Sequence, residues 1–212
     1  MANKTKIDGF NNTKYYSDST INISNLNKND ISGQLAKERY RETQKEIKEN
    51  KTRIGFWKTG ALYGEFSNWY VCEFEYNGTN YASSEQALMF CKAQLFNDEE
   101  TMDKILSATN NKEIKELGRN VKNFVDSKWA KIKYECMVDI LLCKFSQNPK
   151  LLKLLLDTGD CMICETSPVD NIWGIGSDNV NFIKGENLLG KALMETREIL
   201  KNNPGKVIRY FW

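Results

Sequence analysis

The amino-acid sequence predicts an α+β fold that is mainly α-helical, a compact helical domain with a small antiparallel β element. Across residues 83–201, apolar residues recur mostly at spacings of three and four, which is the period of amphipathic helices. One stretch, Val71 to Ala82, alternates instead and contains Asn77-Gly78, a dipeptide typical of two-residue hairpin turns. A chain of 212 residues has room for one such domain and a tail, and we expect the domain to span residues 51–212.

Residues 1–50 form a polar segment that differs in composition from the rest of the chain. Residues 1–30 are rich in Asn, Ser, Thr and Lys and carry few large apolar residues, which favours a tail without a packed core. Residues 31–51 predict a polar helix with thinly spaced apolar residues, which would project or dock weakly. No hydrophobic segment follows the basic residues near Met1, so we expect no secretory signal, a cytoplasmic location and no membrane partner.

The elements of the compact domain follow in order after the hairpin. Ser83-x-x-Gln86 is a capping box, and it predicts a helix that runs on to Phe96. Further helices are expected wherever periodic apolar residues stand between helix start and stop signals: Asp98–Ser107, Lys112–Arg119, Ser127–Ser146, Leu151–Leu156 and Asn187–Lys201. A strand and a loop are expected between Cys161 and Gly185.

Composition limits the chemistry that the domain can perform. The chain contains no histidine, which excludes Ser-His-Asp and Cys-His nucleophiles and histidine-ligated zinc. The formal net charge of +2 provides no global attraction to nucleic acid, although basic residues are in excess between Lys37 and Lys58. Cys161 and Cys164 have the CxxC spacing, but without a second ligand pair the alternation there favours a strand. We therefore expect no metal and no cofactor.

Two clusters of residues are candidates for a site. Glu85 and Lys92 stand seven residues apart on one helix, about 700° of rotation, so they share a face. Asp170 precedes Trp173 and Gly174 in a loop where a flat base could stack and approach the backbone. The competing interpretations are a surface acid with a solvated lysine, and an ordinary loop that buries one tryptophan.

Several separated motifs keep a characteristic order along the chain: Tyr63-Gly-Glu-Phe-Ser-Asn-Trp69, Ser84-Glu-Gln86 with Lys92, Leu117-Gly-Arg119, Asp170-x-x-Trp-Gly174 and Gly185-x-Asn-x-Leu-Gly190. This succession closely resembles the NADAR (YbiA-like) family over roughly residues 54–201. The resemblance implies a hydrolase of N-glycosidic bonds to a ribose-phosphate. The substrate would be ADP-ribose attached to guanine, or alternatively an early ribosylaminopyrimidine phosphate of riboflavin biosynthesis.

The resemblance also implies roles for individual residues. Glu85 would be the catalytic acid or base, Asp170 would orient the ribose or the attacking water, and Lys92 would form a Schiff base or act electrostatically. The expected substrate-binding residues lie in the same motifs: Phe66, Asn68, Trp69, Arg119, Trp173, Gly174 and Asn187.

Gln86 stands where many members of the family carry histidine. A module that binds ADP-ribose or NAD without turnover is the alternative to an enzyme, and it would tolerate the loss of Glu85. ADP-ribosylated nucleic acid is a possible partner because the segment from Lys37 to Lys58 is basic, and an ADP-ribosyltransferase is a possible functional partner.

Overall fold

The computed structural model describes residues 14–17 and 52–210. In those ranges the helices are α1 (Ser84–Leu95), α2 (Glu99–Ser107), α3 (Asn111–Arg119), α4 (Asp126–Gln147), α5 (Pro149–Asp157) and α6 (Leu188–Lys201). The strands are β1 (Lys14–Ser17), β2 (Arg53–Phe56), β3 (Phe74–Tyr76), β4 (Thr79–Tyr81), β5 (Met162–Glu165) and β6 (Val207–Tyr210). The predicted α+β class, with helices in the majority, is confirmed. No helix in the described ranges is long and apolar enough to cross a membrane.

The strands form three separate pairs. The predicted hairpin is confirmed as the antiparallel pair β3–β4, whose turn places Asn77 at φ 53° and Gly78 at φ 73°. Two other pairs were not predicted: β2 runs parallel to β5, and β1 runs antiparallel to β6. The four residues of β1 belong to the segment expected to be a tail, whose remaining residues and predicted helix lie outside the described residues.

The core is organised around α4, whose residues from Cys136 to Ser146 are all buried. This helix packs against α1 on one side and α6 on another, and β3 and β6 also contact it. Each fully buried Leu or Ile on such a helix contributes roughly 1.5–3 kcal/mol by leaving water. The segments that carry the candidate site are thus attached to a rigid centre.

The start of α1 is fixed by reciprocal capping. The Ser83 hydroxyl accepts the Gln86 N–H at 3.2 Å, and the Gln86 Oε1 accepts the Ala82 N–H at 2.8 Å. The Gln86 Nε2 also donates to the Ile105 carbonyl of α2 at 2.9 Å. Gln86 therefore holds α1 and α2 together, and its amide is committed to structure rather than to proton transfer.

Candidate active site

Three carboxylates from three different elements lie close together. Glu85 is in the first turn of α1, Glu165 is the last residue of β5, and Asp170 is in the loop that follows. The Glu85 side chain is 6% exposed. Burial raises the pKa of Glu85 to about 7, and Asp170 adds to the rise, while Lys115, a hydrogen bond from Trp69 and Arg119 oppose it.

Glu165 was not predicted as a site residue. Burial, with the charges of Asp170 and Glu85, raises the pKa of Glu165 to about 7 against the opposing charge of Lys115. Its Oε2 atom is buried and has no hydrogen-bond partner among the described residues. Such an unpartnered buried oxygen is uncommon in folded proteins, and a catalytic role is one of the explanations for it. The sequence offered one signal, an acidic residue directly after the buried strand residues Ile163 and Cys164.

Asp170 organises the loop around it. Its Oδ1 accepts the N–H of Ile172 at 2.9 Å and the N–H of Trp173 at 2.8 Å. A Cβ at Gly174 would lie 2.8 Å from the Asp170 carbonyl and 3.0 Å from the Glu165 carbonyl. Glycine at 174 thus lets the loop fold back against the end of β5. The close approach to the Gly174 backbone that was expected of a ligand is made here by two carbonyl groups of the protein. Trp173 is half-buried and packs against the hydrophobic core.

Asn187 hydrogen-bonds the backbone of β5, and its predicted contact with substrate stays a prediction. Its side chain is buried, with Oδ1 accepting the Glu165 N–H at 3.0 Å and Nδ2 donating to the Ile163 carbonyl at 2.9 Å. The residue also adopts a left-handed conformation, φ 55°, at the start of α6. Asn187 therefore fixes the backbone of β5 and, with it, the position of Glu165.

Phe66 packs in the core, and its predicted role in substrate binding stays a prediction. Its side chain is 0% exposed and stacks on Tyr63 at 5.6 Å between ring centroids. Beneath this aromatic loop the fully buried Lys144 donates to the carbonyls of Glu65 at 3.0 Å and Ser67 at 3.3 Å. Burial lowers the pKa of Lys144. Phe66 and Lys144 together hold the loop that presents the next two residues.

Asn68 and Trp69 face the carboxylates. The Asn68 carbonyl accepts the Glu85 N–H at 2.9 Å, and the buried Asn68 Oδ1 has no hydrogen-bond partner in the described part of the chain. Trp69 is 38% exposed, donates a hydrogen bond to the Glu85 side chain, and is fixed by Asn111, which donates to its carbonyl at 2.8 Å. The two residues thus lie beside Glu85, and their role as ligand contacts stays a prediction.

The cations near the carboxylates come from α3. Lys115, which sequence analysis missed, has its Nζ 5.7 Å from the centroid of the Trp69 ring. Arg119 is exposed and pairs with Glu116 at 3.4 Å. A cavity of about 670 Å³ lies along α3 and is lined by Trp69, Lys115 and Arg119 among others. Gly118 lets α3 pack against α1, because a Cβ at this position would overlap the side chain of Met89.

The amine of Lys92 contacts the end of α3 and the segment that follows it. Its Nζ donates to the Gly118 carbonyl at 2.6 Å and stands 4.1 Å from the centroid of the Phe124 ring. Burial lowers the pKa of Lys92, and Asp126 opposes this effect. In this structure the Lys92 amine is hydrogen-bonded to the Gly118 carbonyl, and Lys115 and Arg119 supply the positive charge beside Glu85. The Schiff-base and electrostatic roles of Lys92 both stay predictions.

Several known proteins are similar to the domain that carries this site. The family model described as NADAR domain matches residues 55–201. N-glycosidase R617 of Acanthamoeba polyphaga mimivirus is 45% identical over 145 residues, covering 63% of this chain and 85% of the viral protein. Riboflavin biosynthesis protein VVA0006 of Vibrio vulnificus is 34% identical over 150 residues, 71% of this chain and 39% of the Vibrio protein. The NMR structure of the E. coli protein YbiA superposes with a TM-score of 0.63 at 30% identity, covering 72% of this chain and 88% of that one.

A mainly helical α+β domain that gathers three carboxylates against lysine and arginine, with relatives named as N-glycosidases, defines an enzyme of the glycosidase class. The chain belongs to the NADAR domain family.

Proposed function

We propose that this protein is a cytoplasmic hydrolase that cleaves the N-glycosidic bond between ADP-ribose and guanine, and so reverses ADP-ribosylation of that base. The observation that carries the proposal is the carboxylate group Glu85, Glu165 and Asp170, set against Lys115 and next to the exposed indole of Trp69. Carboxylates suit the positive charge that develops at C1 of ribose, and an indole suits a flat base.

The reaction requires a proton donor at the leaving nitrogen and a proton acceptor for the attacking water. A carboxyl whose pKa is near 7 is populated in both forms at neutral pH, which suits Glu85 to the donor role. As the C1–N bond breaks, its electron pair goes to the base nitrogen, which takes the proton from Glu85. Water then adds to C1 and gives its proton to a carboxylate of the group, with Asp170 orienting the ribose or the water.

Lys92 admits a second route, in which its amine forms an imine with the ring-opened sugar. Such a nucleophile must be partly neutral, and burial lowers the pKa of Lys92 in that direction. The amine would first have to leave the Gly118 carbonyl, to which it now donates. This route remains a proposal beside the direct one, and the two differ in whether substrate becomes bonded to the enzyme.

A ribosylaminopyrimidine phosphate is the second candidate substrate. It is favoured by the relative from Vibrio, which is named a riboflavin biosynthesis protein. Both candidates present a ribose-phosphate to the carboxylates, so the choice depends on the rest of the molecule. An ADP-ribosylated nucleic acid and an ADP-ribosyltransferase that modifies it are the partners proposed with the first substrate.

The test is to incubate the protein with ADP-ribosylated guanosine and with a ribosylaminopyrimidine phosphate, and to follow release of each base by chromatography. We expect release from the guanosine adduct at a higher kcat/KM. Faster turnover of the pyrimidine would transfer the proposal to the riboflavin type of substrate. Saturable ADP-ribose binding with no release of either base would contradict the proposed hydrolysis.

A further inference from the structure

The cavity along α3 carries features that cleavage at C1 does not require. Its cationic lining residues, Lys112, Lys115 and Arg119, stand at positions i, i+3 and i+7 of one helix, so they lie on a single face. From Lys112 to Arg119 the helix rises about 10 Å, since each residue adds about 1.5 Å. A volume of about 670 Å³ lies within the range of sites that hold whole ligands.

One end of this row is tied to the carboxylates. Lys115 and Arg119 both act electrostatically on Glu85, and Trp69, which hydrogen-bonds Glu85, lines the same cavity. Lys112, in the first turn of α3, extends the row away from them. A ligand whose C1 lies at Glu85 can therefore continue along α3 toward Lys112.

The acidic residues of the cavity are already engaged. Glu116 pairs with Arg119 and accepts from the Asn120 side chain at 3.0 Å, and Glu113 accepts from the Asn110 side chain at 3.1 Å. Lys112 and Lys115 have no carboxylate within 4 Å in the part of the chain that the structure describes. The two lysines thus retain their charge for a ligand, in a cavity whose net charge is +1 from three cations and two carboxylates.

We infer that the α3 cavity binds the diphosphate arm of a nucleoside diphosphate sugar, with Lys115 and Arg119 near the first phosphate and Lys112 near the second. A row of cations on one helix face matches a linear polyanion, whereas a single phosphate next to the ribose would occupy one end and leave Lys112 unused. This inference rests on the proposed function, because it assumes that the ribose C1 lies at Glu85. It goes further in specifying which part of the substrate decides between the two candidates.

The experiment measures binding of ADP-ribose and of ribose 5-phosphate by titration calorimetry. The proteins compared are the unmodified chain, Lys112→Glu, and Lys131→Glu, which makes the same charge change at an exposed lysine of α4. We expect ADP-ribose to bind more tightly than ribose 5-phosphate, Lys112→Glu to weaken ADP-ribose at least about tenfold, and ribose 5-phosphate to bind all three proteins equally. Lys131→Glu should change neither ligand.

Each other outcome has a definite meaning. Equal affinity of the unmodified chain for the two ligands, or an ADP-ribose affinity that Lys112→Glu leaves unchanged, would overturn the inference. A loss shared by ribose 5-phosphate would overturn it as well, because Lys112 would then act near the ribose. Binding needs no turnover, so release of neither base in the hydrolysis assay would contradict the proposed function while this measurement still decides the diphosphate arm.

Discussion

Replacing Glu85 by glutamine removes a buried charge and a proposed proton donor in one step. Burial raises the pKa of Glu85 from 4.5 to about 7, so the folded protein binds this proton more tightly than the unfolded chain. A group with a raised pKa weakens the fold as pH increases from its unfolded value to its folded one. The full cost is about 3 kcal/mol above pH 7 and vanishes below pH 4.5.

Glutamine has the same shape and its amide oxygen can still accept the hydrogen bond from Trp69. We therefore expect Glu85→Gln to raise the melting temperature at pH 8 by up to about 6–12 °C and to leave it almost unchanged at pH 4. Base release should fall by about 10²- to 10⁴-fold, the range typical of a lost general acid. Thermal melts at pH 8 and pH 4 measure the change in melting temperature, and the rate of base release is measured at pH 7.

Glu135→Gln is the matched control, because it removes one carboxylate from an exposed position on α4. It should change neither the pH dependence of the melting temperature nor the rate. An equal stability gain in Glu85→Gln at both pH values would refute the argument from burial. A Glu85→Gln enzyme with full rate would refute the proposed catalytic role.

Four further outcomes are expected. kcat/KM should follow a bell-shaped pH profile centred near 7, since burial raises the pKa values of both Glu85 and Glu165 to about 7. Glu165→Gln should leave a single limb, and a profile that keeps both limbs would exclude Glu165. Asp170→Asn, which keeps an oxygen for the N–H groups of the loop, should lose activity while its melting temperature stays within about 2 °C, and Asp170→Ala should lose both. Asn187→Ala should cost about 2–4 kcal/mol of unfolding free energy in urea, because two buried backbone groups lose their partners; a smaller cost together with normal kcat would contradict its positioning role. If the imine route operates, borohydride added during turnover should leave a sugar adduct on Lys92 that mass spectrometry detects and that Lys92→Met lacks. An unmodified Lys92 would exclude the imine route and favour the direct one.

Local signals predicted local structure well. The hairpin around Asn77-Gly78 and the start of α1 at Ser83 are confirmed, because their determinants lie within a few residues of one another. The parallel pairing of β2 with β5 joins residues more than a hundred positions apart, and its strands are only four residues long. Such pairing is decided by packing, and no pattern in either short strand reports it.

The same division applies to the site. Glu85, Asp170, Asn68 and Trp69 were predicted from the ordered motifs, and the structure brings all four to one place. Glu165 was missed, because an acidic residue after an apolar strand is a weak signal, and its importance comes from the pairing of β5 and the burial of its carboxyl.

Phe66 and Asn187 differ from the other predicted site residues. Both belong to the ordered motifs, but the Phe66 ring packs in the aromatic core and the Asn187 amide bonds the β5 backbone. A motif records that a residue matters without recording whether it acts on the ligand or on the fold. Burial and hydrogen-bond partners separate the two cases here.

The β1–β6 pair has a practical consequence for anyone who shortens this chain. The family match begins at residue 55, which invites a version without the segment before residue 52, and that version would also lack β1. β6 would still be attached to α4, where the Ser146 hydroxyl accepts the Ile208 N–H at 2.9 Å. The backbone N–H and C=O groups of β6 that now pair with β1 would lose their partners. An unpaired edge strand can pair with a strand of a neighbouring molecule. The shortened protein should therefore aggregate at concentrations where the longer chain does not.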